Sequence, residues 1–428
     1  AAPCDAGCEP ALTPTSDCYD VRDAGVLSCD GCQECVHAYN TAFLNDEDAA
    51  IGPVRVAQAG VGGYNTPFGR TTVFYVDRVP HAIFLSTNDG SPARTKPMTG
   101  LSIWSLADPT SPSELVAILD IGATLVDVES FDVDGAPHVV ILAAADPYLR
   151  VFSVADPYTP TAVGTESAAP DAVPNGEMSI VAIDGAPHLF VSDSATARLV
   201  NIANATAPTT RSTITTAGPH VDTYTLDGIP YAVTVTGIDD TLTIHDLSTP
   251  TAPTLFTQNS GLDAGHVLDG VVAYPFAGTH YMLCSEITGA GSWSMYQVNN
   301  TLDATAQRVG SLELGDAGGD NGRSFRFSDR AGARYLLAAW DYPHMAVVMP
   351  GVVNGVLGFT SWWPSSFQDG FYASGMEIIT ATRSMSTFGG LSPSRLKTQP
   401  FLLRYELYTI DSSGNVGQLS RTPTPDPP

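Results

Sequence analysis

Lysine is almost absent from this 428-residue chain: only Lys96 and Lys397 stand among its 19 basic residues, against 45 acidic ones. The formal net charge is therefore −26. A surface with this charge repels nucleic acid and anionic lipid, whose phosphates carry the same sign. The sequence therefore argues against a nucleic-acid partner and favours cations as ligands.

Long apolar runs are also missing. The longest uninterrupted one, Val139–Ala145, has the length of a strand, whereas a membrane-spanning helix needs about 18–20 residues. Glycine (39) and proline (32) are abundant, which favours many turns and disfavours long helices. With 43% apolar residues the chain can still build a large core. We expect a folded protein without a membrane-spanning segment.

Beyond the first 35 residues the chain has one cysteine, Cys284, which lies in an apolar stretch and is expected to be a buried free thiol. The spacing of Cys29, Cys32 and Cys35 is compatible with an iron–sulfur or zinc site. The fourth ligand of such a site is missing, so three disulfides are the favoured interpretation, with 15 pairings open. The cysteines concerned are Cys4, Cys8, Cys18, Cys29, Cys32 and Cys35.

Disulfides indicate an oxidising compartment, and the opening Ala1-Ala2-Pro3 is typical of a chain left by signal-peptide cleavage. We predict an exported protein: extracellular, periplasmic or bound to the cell surface. Residues 1–50 form the cysteine-rich segment, residues 51–421 the main domain, and residues 422–428 a proline-rich tail.

An internal repeat predicts the fold. Four segments alternate apolar and polar residues for six positions and then turn. The turn contains Asp-Pro in two segments and Thr-Pro in a third. The segments are 101–112, 149–160, 197–208 and 242–253. Each follows a pair of apolar runs joined, in most copies, by Asp-Gly, which indicates a β-hairpin. One unit thus reads strand, tight turn, strand, loop, strand, turn, strand. Four antiparallel strands per ~45–50 residues are typical of a β-propeller blade.

Hairpins expected near residues 77, 134, 184, 227, 277, 331 and 380 predict an all-β propeller of seven four-stranded blades, with six as the alternative. The segment Pro53–Ala59 is similar to the outer strand of a unit. We expect it to pair with the C-terminal blade, which would close the ring and remove exposed sheet edges.

The repeated pattern Leu-x-Ile/Val-x-x-Leu/Val-Ala/Ser-Asp-Pro-x-x-Pro resembles the LVIVD-repeat β-propellers of exported and surface-anchored bacterial proteins. The resemblance is clearest over residues 72–258 and weaker to about residue 360. The family usually has Asp at the fifth position of this strand, where the present chain has Ser105, Ser153, Asn201 and Asp246. The resemblance implies a propeller fold and export, and no single activity.

Familiar catalytic motifs are missing, including Gly-x-Ser-x-Gly, His-Glu-x-x-His and the phosphate-binding loop. Four histidines occupy one position of the repeat, His81, His138, His188 and His280. Equivalent positions lie one per blade, so these imidazoles cannot converge on one metal ion. We expect them to cap a hairpin or to bond a neighbouring blade.

The predicted metal site lies where the innermost strands begin, at one mouth of the central channel. Carboxylates and imidazoles there can bind calcium or a transition metal, and a cation would relieve their mutual repulsion. The candidate ligands are Asp127, Glu177, His220, Asp222, His266 and Asp269, with Arg70 and Arg323 nearby as ligand-binding residues. The alternative is a wet, polar channel without a bound ion.

A second candidate site is aromatic. Trp362, Trp363 and Tyr372 are predicted to lie in a long loop, where they could stack on a sugar, grip a protein or fill a groove between the last blades. Two functions remain open. One is a monomeric binding module for a surface protein, glycan or metal ion. The other is a metal-dependent hydrolase or a copper or quinone oxidoreductase acting at the channel mouth.

Overall fold

The structure, a computed structural model, contains strands and no helix among the residues it describes. Those residues are 54–61, 71–86, 99–107, 113–166, 176–192, 196–215, 218–236, 241–260, 262, 268–275, 278–286, 292–298, 307–313, 324–330, 333–340, 344–353, 356–366, 372–380, 383–389 and 403–409. The six N-terminal cysteines, His266, Arg70 and Arg323 lie outside them. No helix in the described part of the chain has the length and apolar character to cross a membrane.

The strands form seven four-stranded antiparallel sheets. Strand β1, Val54–Val61, comes first in the chain. Sheet 1 consists of β2 Thr71–Val76, β3 Val79–Ser86, β4 Gly100–Ser105 and β5 Ser113–Asp120. Sheet 2 consists of β6 Leu125–Val133, β7 Ala136–Ala143, β8 Leu149–Ser153 and β9 Thr161–Glu166. Sheet 3 consists of β10 Glu177–Ile183, β11 Ala186–Ser192, β12 Thr196–Asn201 and β13 Thr209–Thr215.

Sheets 4 to 6 repeat the same order of strands. Sheet 4 consists of β14 His220–Leu226, β15 Ile229–Thr236, β16 Thr241–Asp246 and β17 Thr254–Asn259. Sheet 5 consists of β18 Leu268–Ala273, β19 His280–Glu286, β20 Ser292–Val298 and β21 Gln307–Glu313. Sheet 6 consists of β22 Ser324–Arg330, β23 Ala333–Trp340, β24 His344–Val353 and β25 Val356–Ser366.

Sheet 7 joins the two ends of the described chain. It consists of β26 Tyr372–Thr380, β27 Arg383–Gly389, β28 Leu403–Thr409 and the N-terminal strand β1, in the order β1-β28-β27-β26. Strand β1 pairs with β28 from Val54 opposite Thr409 to Val61 opposite Leu403. The expectation that this N-terminal segment is an outer strand of the last sheet is confirmed.

In most pairs of neighbouring sheets the first strands pack against each other. Strand β2 contacts β6 and β26, and further contacts join β6 to β10, β10 to β14, β14 to β18 and β22 to β26. The outer strands β21 and β25 also contact each other. Between these sheets lie apolar clusters that contain residues from both sides, for example Leu149 of sheet 2 with Val200 of sheet 3. Burial of these faces is the main stabilising contribution to the stack.

The predicted hairpin turns are present and explain the Asp-Gly pairs. Asp134 and Gly135 both have positive φ (52° and 75°), as do Asp184 and Gly185 (53° and 75°). Positive φ at both central residues defines the type I′ turn, whose twist matches that of the flanking strands. Asp and Gly tolerate this conformation, which accounts for their recurrence.

Candidate functional site

The repeated histidines stabilise the hairpins. The Nδ1–H groups of His81, His138 and His188 donate to the carbonyl two residues earlier, at 2.9, 2.8 and 3.0 Å. Their rings lie between strands, and those of His81 and His138 stack on Phe74 and Phe131 at centroid distances of 5.2 and 5.5 Å. Burial lowers the pKa of His81 and of His188. The prediction that these imidazoles cap hairpins is confirmed.

The fourth histidine bonds a neighbouring sheet instead. The hydroxyl of Tyr224 in sheet 4 forms a hydrogen bond with Nδ1 of His280 in sheet 5 at 2.7 Å. The imidazole also packs edge-on against the ring of Tyr231, with 4.8 Å between the ring centroids, and its centroid lies 4.7 Å from that of Phe256. Burial lowers the pKa of His280 to about 4, so the ring is neutral and can accept this hydrogen bond. Both roles expected for these histidines therefore occur.

The fifth position of the repeated strand holds a side-chain acceptor for the following turn. Asp246 Oδ1 accepts from the N–H of Ser248 at 2.8 Å, and Asn201 Oδ1 accepts from Ala203 at 3.1 Å. Ser105 Oγ accepts from Ala107 at 3.3 Å. Asp, Asn and Ser can all make this local bond to the backbone. Asn201 and Ser105 therefore make the same local bond to the turn as Asp246.

The first predicted metal ligand, Asp127 of β6, is buried and bonded to backbone amides. Its Oδ1 accepts from the N–H of Val128, and its Oδ2 accepts from the N–H of Met178 in sheet 3, both at 2.9 Å. Met178 lies on β10, the first strand of the next sheet. The carboxylate therefore bridges the inner strands of two neighbouring sheets.

Asp222 of β14 makes a similar bridge two sheets further along, between sheets 4 and 5. Its Oδ1 accepts from the N–H of Thr223 at 2.8 Å, and its Oδ2 accepts from the N–H of Ala273 in sheet 5 at 2.9 Å. The edge of an inner strand presents backbone N–H groups that no further strand pairs with. A carboxylate from the preceding sheet satisfies such a group and joins the two sheets.

Glu177 and His220 form the most accessible pair at the beginning of the inner strands. Glu177 Oε1 lies 3.2 Å from His220 Nδ1, and Oε2 accepts from the N–H of Val221 at 3.1 Å. Their side chains are 16% and 20% exposed. The pair therefore joins sheets 3 and 4 and still reaches solvent.

The structure thus places four of the six predicted metal ligands on the first strands of sheets 2 to 4. Asp127, Glu177 and Asp222 each bond to the following sheet, and His220 bonds to Glu177 of the preceding one. Asp269 lies at an irregularity in the pairing of β18 with β19, between Leu268 and Gly270. No group of three or more His, Cys, Asp or Glu side chains in the described part of the chain is placed to hold one metal ion. Sequence reasoning did not foresee the amide partners Met178, Val221 and Ala273, because these lie in a different sheet.

The aromatic pair Trp362 and Trp363 lies in a strand, which corrects the expectation of a loop. Both belong to β25, where they pair with Val348 and Val347 of β24. Tyr372 begins β26 of the next sheet, opposite Gly389. Strands β24 and β25 pair over ten residue positions with one register shift. The two tryptophans therefore belong to a long regular hairpin rather than to an irregular insertion.

In sheets 2 to 4, the turn between the first and second strands and the turn between the third and fourth strands lie at the same end of the sheet, because the strand direction alternates. We call this end of sheets 1 to 4 the turn face. Exposed carboxylates recur on it at one position of the repeat: Asp77, Asp134, Asp184 and Asp227. Large apolar side chains lie exposed among them, namely Tyr75 (43%), Tyr158 (65%) and Ile229 (37%). The turn face is anionic and partly apolar.

Comparisons with known proteins show the fold class. No protein-family model matches the sequence, and no curated protein matches it. Among solved structures, Raptor from Chaetomium thermophilum is similar over 86% of this chain, with a TM-score of 0.53 and 11% identity. The similarity spans 30% of the Raptor chain, so this chain corresponds to less than a third of it. A protein from Lactobacillus plantarum, a structural-genomics target, is similar over 70% of this chain and 85% of its own, with a TM-score of 0.51 and 14% identity.

These likenesses concern the fold alone. Together with the seven sheets they define an all-β protein built from repeated four-stranded antiparallel sheets.

Proposed function

We propose that this chain is a closed seven-bladed β-propeller of the exported, LVIVD-like kind, and that it acts as a binding module. Closure is supported by the N-terminal strand β1 in sheet 7 and by the contacts of β26 with both β22 and β2. Contacts between β21 and β25 join the fifth and sixth sheets. A closed ring leaves each blade a neighbour on both sides, which covers both apolar faces.

A binding role is supported by the contacts of the candidate metal ligands and of the repeated histidines. Asp127 and Asp222 are each bonded through both carboxylate oxygens to backbone amides of two sheets. Three of the repeated histidines are bonded to hairpin carbonyls. Groups engaged in this way hold a scaffold rigid, and a rigid scaffold loses little entropy when it binds a partner.

The partner is a cationic surface, and it docks on the turn face. The carboxylates at the hairpin tips attract positive charge, and exposed Tyr75 and Tyr158 supply apolar contact area. The net charge of −26 steers such a partner from a distance. The single observation that carries this proposal is the recurrence of an exposed Asp at one place in four consecutive sheets.

The test is binding of an arginine-rich peptide to the intact chain and to two matched variants. The first is Asp134→Asn with Asp184→Asn on the turn face, where Asn also tolerates the positive φ. The second is Asp120→Asn with Glu166→Gln, two carboxylates at the opposite end of the sheets. We expect the first variant to weaken binding several-fold more than the second. Equal weakening by both would mean that net charge alone attracts the peptide, and the turn face would not be the site.

The alternative, a metal-dependent enzyme at the channel mouth, is favoured by the accessibility of the Glu177–His220 pair. Metal analysis of protein purified without chelator separates the two functions. A stoichiometric metal whose binding requires Glu177 supports the alternative. Loosely bound calcium, unaffected by Glu177→Gln, supports the binding module.

A further inference from the structure

The interface between sheets 3 and 4 contains three buried polar atoms that have no hydrogen-bond partner. They are Oγ1 of Thr234, Oγ1 of Thr243 and Nδ1 of His245, in side chains that are 0%, 3% and 4% exposed. Thr234 and Thr243 lie directly opposite each other on β15 and β16. His245 follows two residues after Thr243 and therefore shares its side of the strand.

These side chains face sheet 3. Leu242 and Ile244 alternate with them along β16 and pack in the cluster shared with sheet 5, so Thr243 and His245 point the other way. On that other side, Ala232 and Leu247 of sheet 4 pack with Phe190 and Leu199 of sheet 3. The unpartnered atoms therefore lie between two sheets.

The preceding interface, between sheets 2 and 3, carries larger side chains at two positions of the repeat. Leu149 corresponds to Ala197, and Arg198 corresponds to Thr243. The guanidinium of Arg198 lies over the ring of Tyr148 in sheet 2, 5.7 Å from its centroid. The interface between sheets 3 and 4 therefore has smaller side chains at these two positions, with a hydroxyl at Thr243, whereas His245 occupies the position of Val200.

An unpaired buried hydroxyl or imidazole nitrogen is costly, because it has lost water and gained no partner. Buried water occurs where space is available and polar groups can bond it. We propose that the interface between sheets 3 and 4 is an internal hydration site, in which water bridges the Thr234 and Thr243 hydroxyls and donates to Nδ1 of His245. Burial lowers the pKa of His245 to about 4, so the ring is neutral and this nitrogen can accept.

The substitution Thr243→Val tests this by the sign of its effect on unfolding. Valine has the shape of threonine without its hydroxyl. If water bonds that hydroxyl, we expect the equilibrium constant of unfolding to rise about fivefold, the usual worth of one hydrogen bond. If the interface is dry, valine removes a buried hydroxyl that has no hydrogen-bond partner, and the equilibrium constant of unfolding should fall.

Thr257→Val is the matched control. Thr257 is also fully buried in sheet 4, but it lies on the side facing sheet 5, and its Oγ1 accepts from Nδ2 of Asn259 at 3.3 Å. Removing the Thr257 hydroxyl should raise the equilibrium constant of unfolding whether or not the interface between sheets 3 and 4 holds water, and this change calibrates the measurement. A high-resolution crystal structure gives the direct result: solvent density within hydrogen-bonding distance of Thr234, Thr243 and His245 supports the proposal. A stabilising Thr243→Val, or an interface without such density, would overturn it.

Discussion

Replacing Asp127 by Asn tests whether the carboxylates at the inner strands hold the sheets together. In the native protein both oxygens accept backbone hydrogen bonds, one from Val128 and one from Met178 in the next sheet. Asn keeps one acceptor oxygen and places an NH₂ group where the other oxygen was. Because an NH₂ group cannot accept, one backbone amide loses its partner in a site only 4% exposed.

The expected cost follows from these contacts. A hydrogen bond to a charged acceptor contributes about 1.5–3 kcal/mol, and a buried donor left unpaired costs a similar amount. We therefore expect Asp127→Asn to lower the free energy of unfolding by about 2–3 kcal/mol. Urea unfolding followed by fluorescence and circular dichroism measures this, provided that the two transitions coincide.

The sign of the change separates the bridge from the metal site predicted by the sequence. If Asp127 belonged to a cluster of repelling carboxylates, neutralising it would raise stability in the absence of metal. Asp132→Asn is the control, because this exposed residue lies on the same strand. A stability of Asp127→Asn equal to or above that of the control would refute the bridging role.

Three further predictions concern other parts of the chain. Gly164→Ala should destabilise by about 1–3 kcal/mol in thermal or urea unfolding, because its Cβ would overlap the carbonyl oxygen of Ala205; an unchanged midpoint would contradict this close approach. His245 and His280 have their pKa lowered to about 4 by burial, so stability should be complete above pH 6.5 and fall as the pH drops toward 4, by at most about 3 kcal/mol per histidine. Urea midpoints against pH should show this loss, and His245→Gln should reduce it. After denaturation without reductant, alkylation should modify at most one cysteine, the buried free thiol Cys284, whereas three or more modified thiols would exclude three disulfides in residues 1–50.

The turns and hairpins of the fold were predictable because each depends on only a few consecutive residues. Asp-Gly between apolar runs requires the type I′ turn that Asp184 and Gly185 adopt. The backbone N–H of Thr159 donates to the carbonyl of Asp156 at 3.2 Å, as expected for the Asp-Pro turn. The repeat then carried these features from sheet to sheet, and the hairpins of all seven sheets lie where it predicts.

Contacts between sheets were less predictable, since they depend on how two faces pack. Asp127 and Asp222 lie on the first strands of their sheets, but nothing in the sequence pairs them with Met178 or Ala273. His280 bonds to Tyr224 of the neighbouring sheet instead of to a hairpin carbonyl, and this contact also depends on how two sheets pack. The prediction of a loop for Trp362 and Trp363 is wrong, since both lie on β25 where it pairs with β24.

Ring closure is the central claim, and a disulfide cross-link tests it most directly. Gln58 of β1 lies opposite Glu406 of β28, and directly opposed residues in antiparallel strands are close enough for a disulfide. In the variant Gln58→Cys with Glu406→Cys, we expect peptide mapping by mass spectrometry to find residues 58 and 406 joined within one chain. If the two introduced cysteines remain unlinked to each other under oxidising conditions, β1 does not complete the seventh sheet and the closed ring is contradicted.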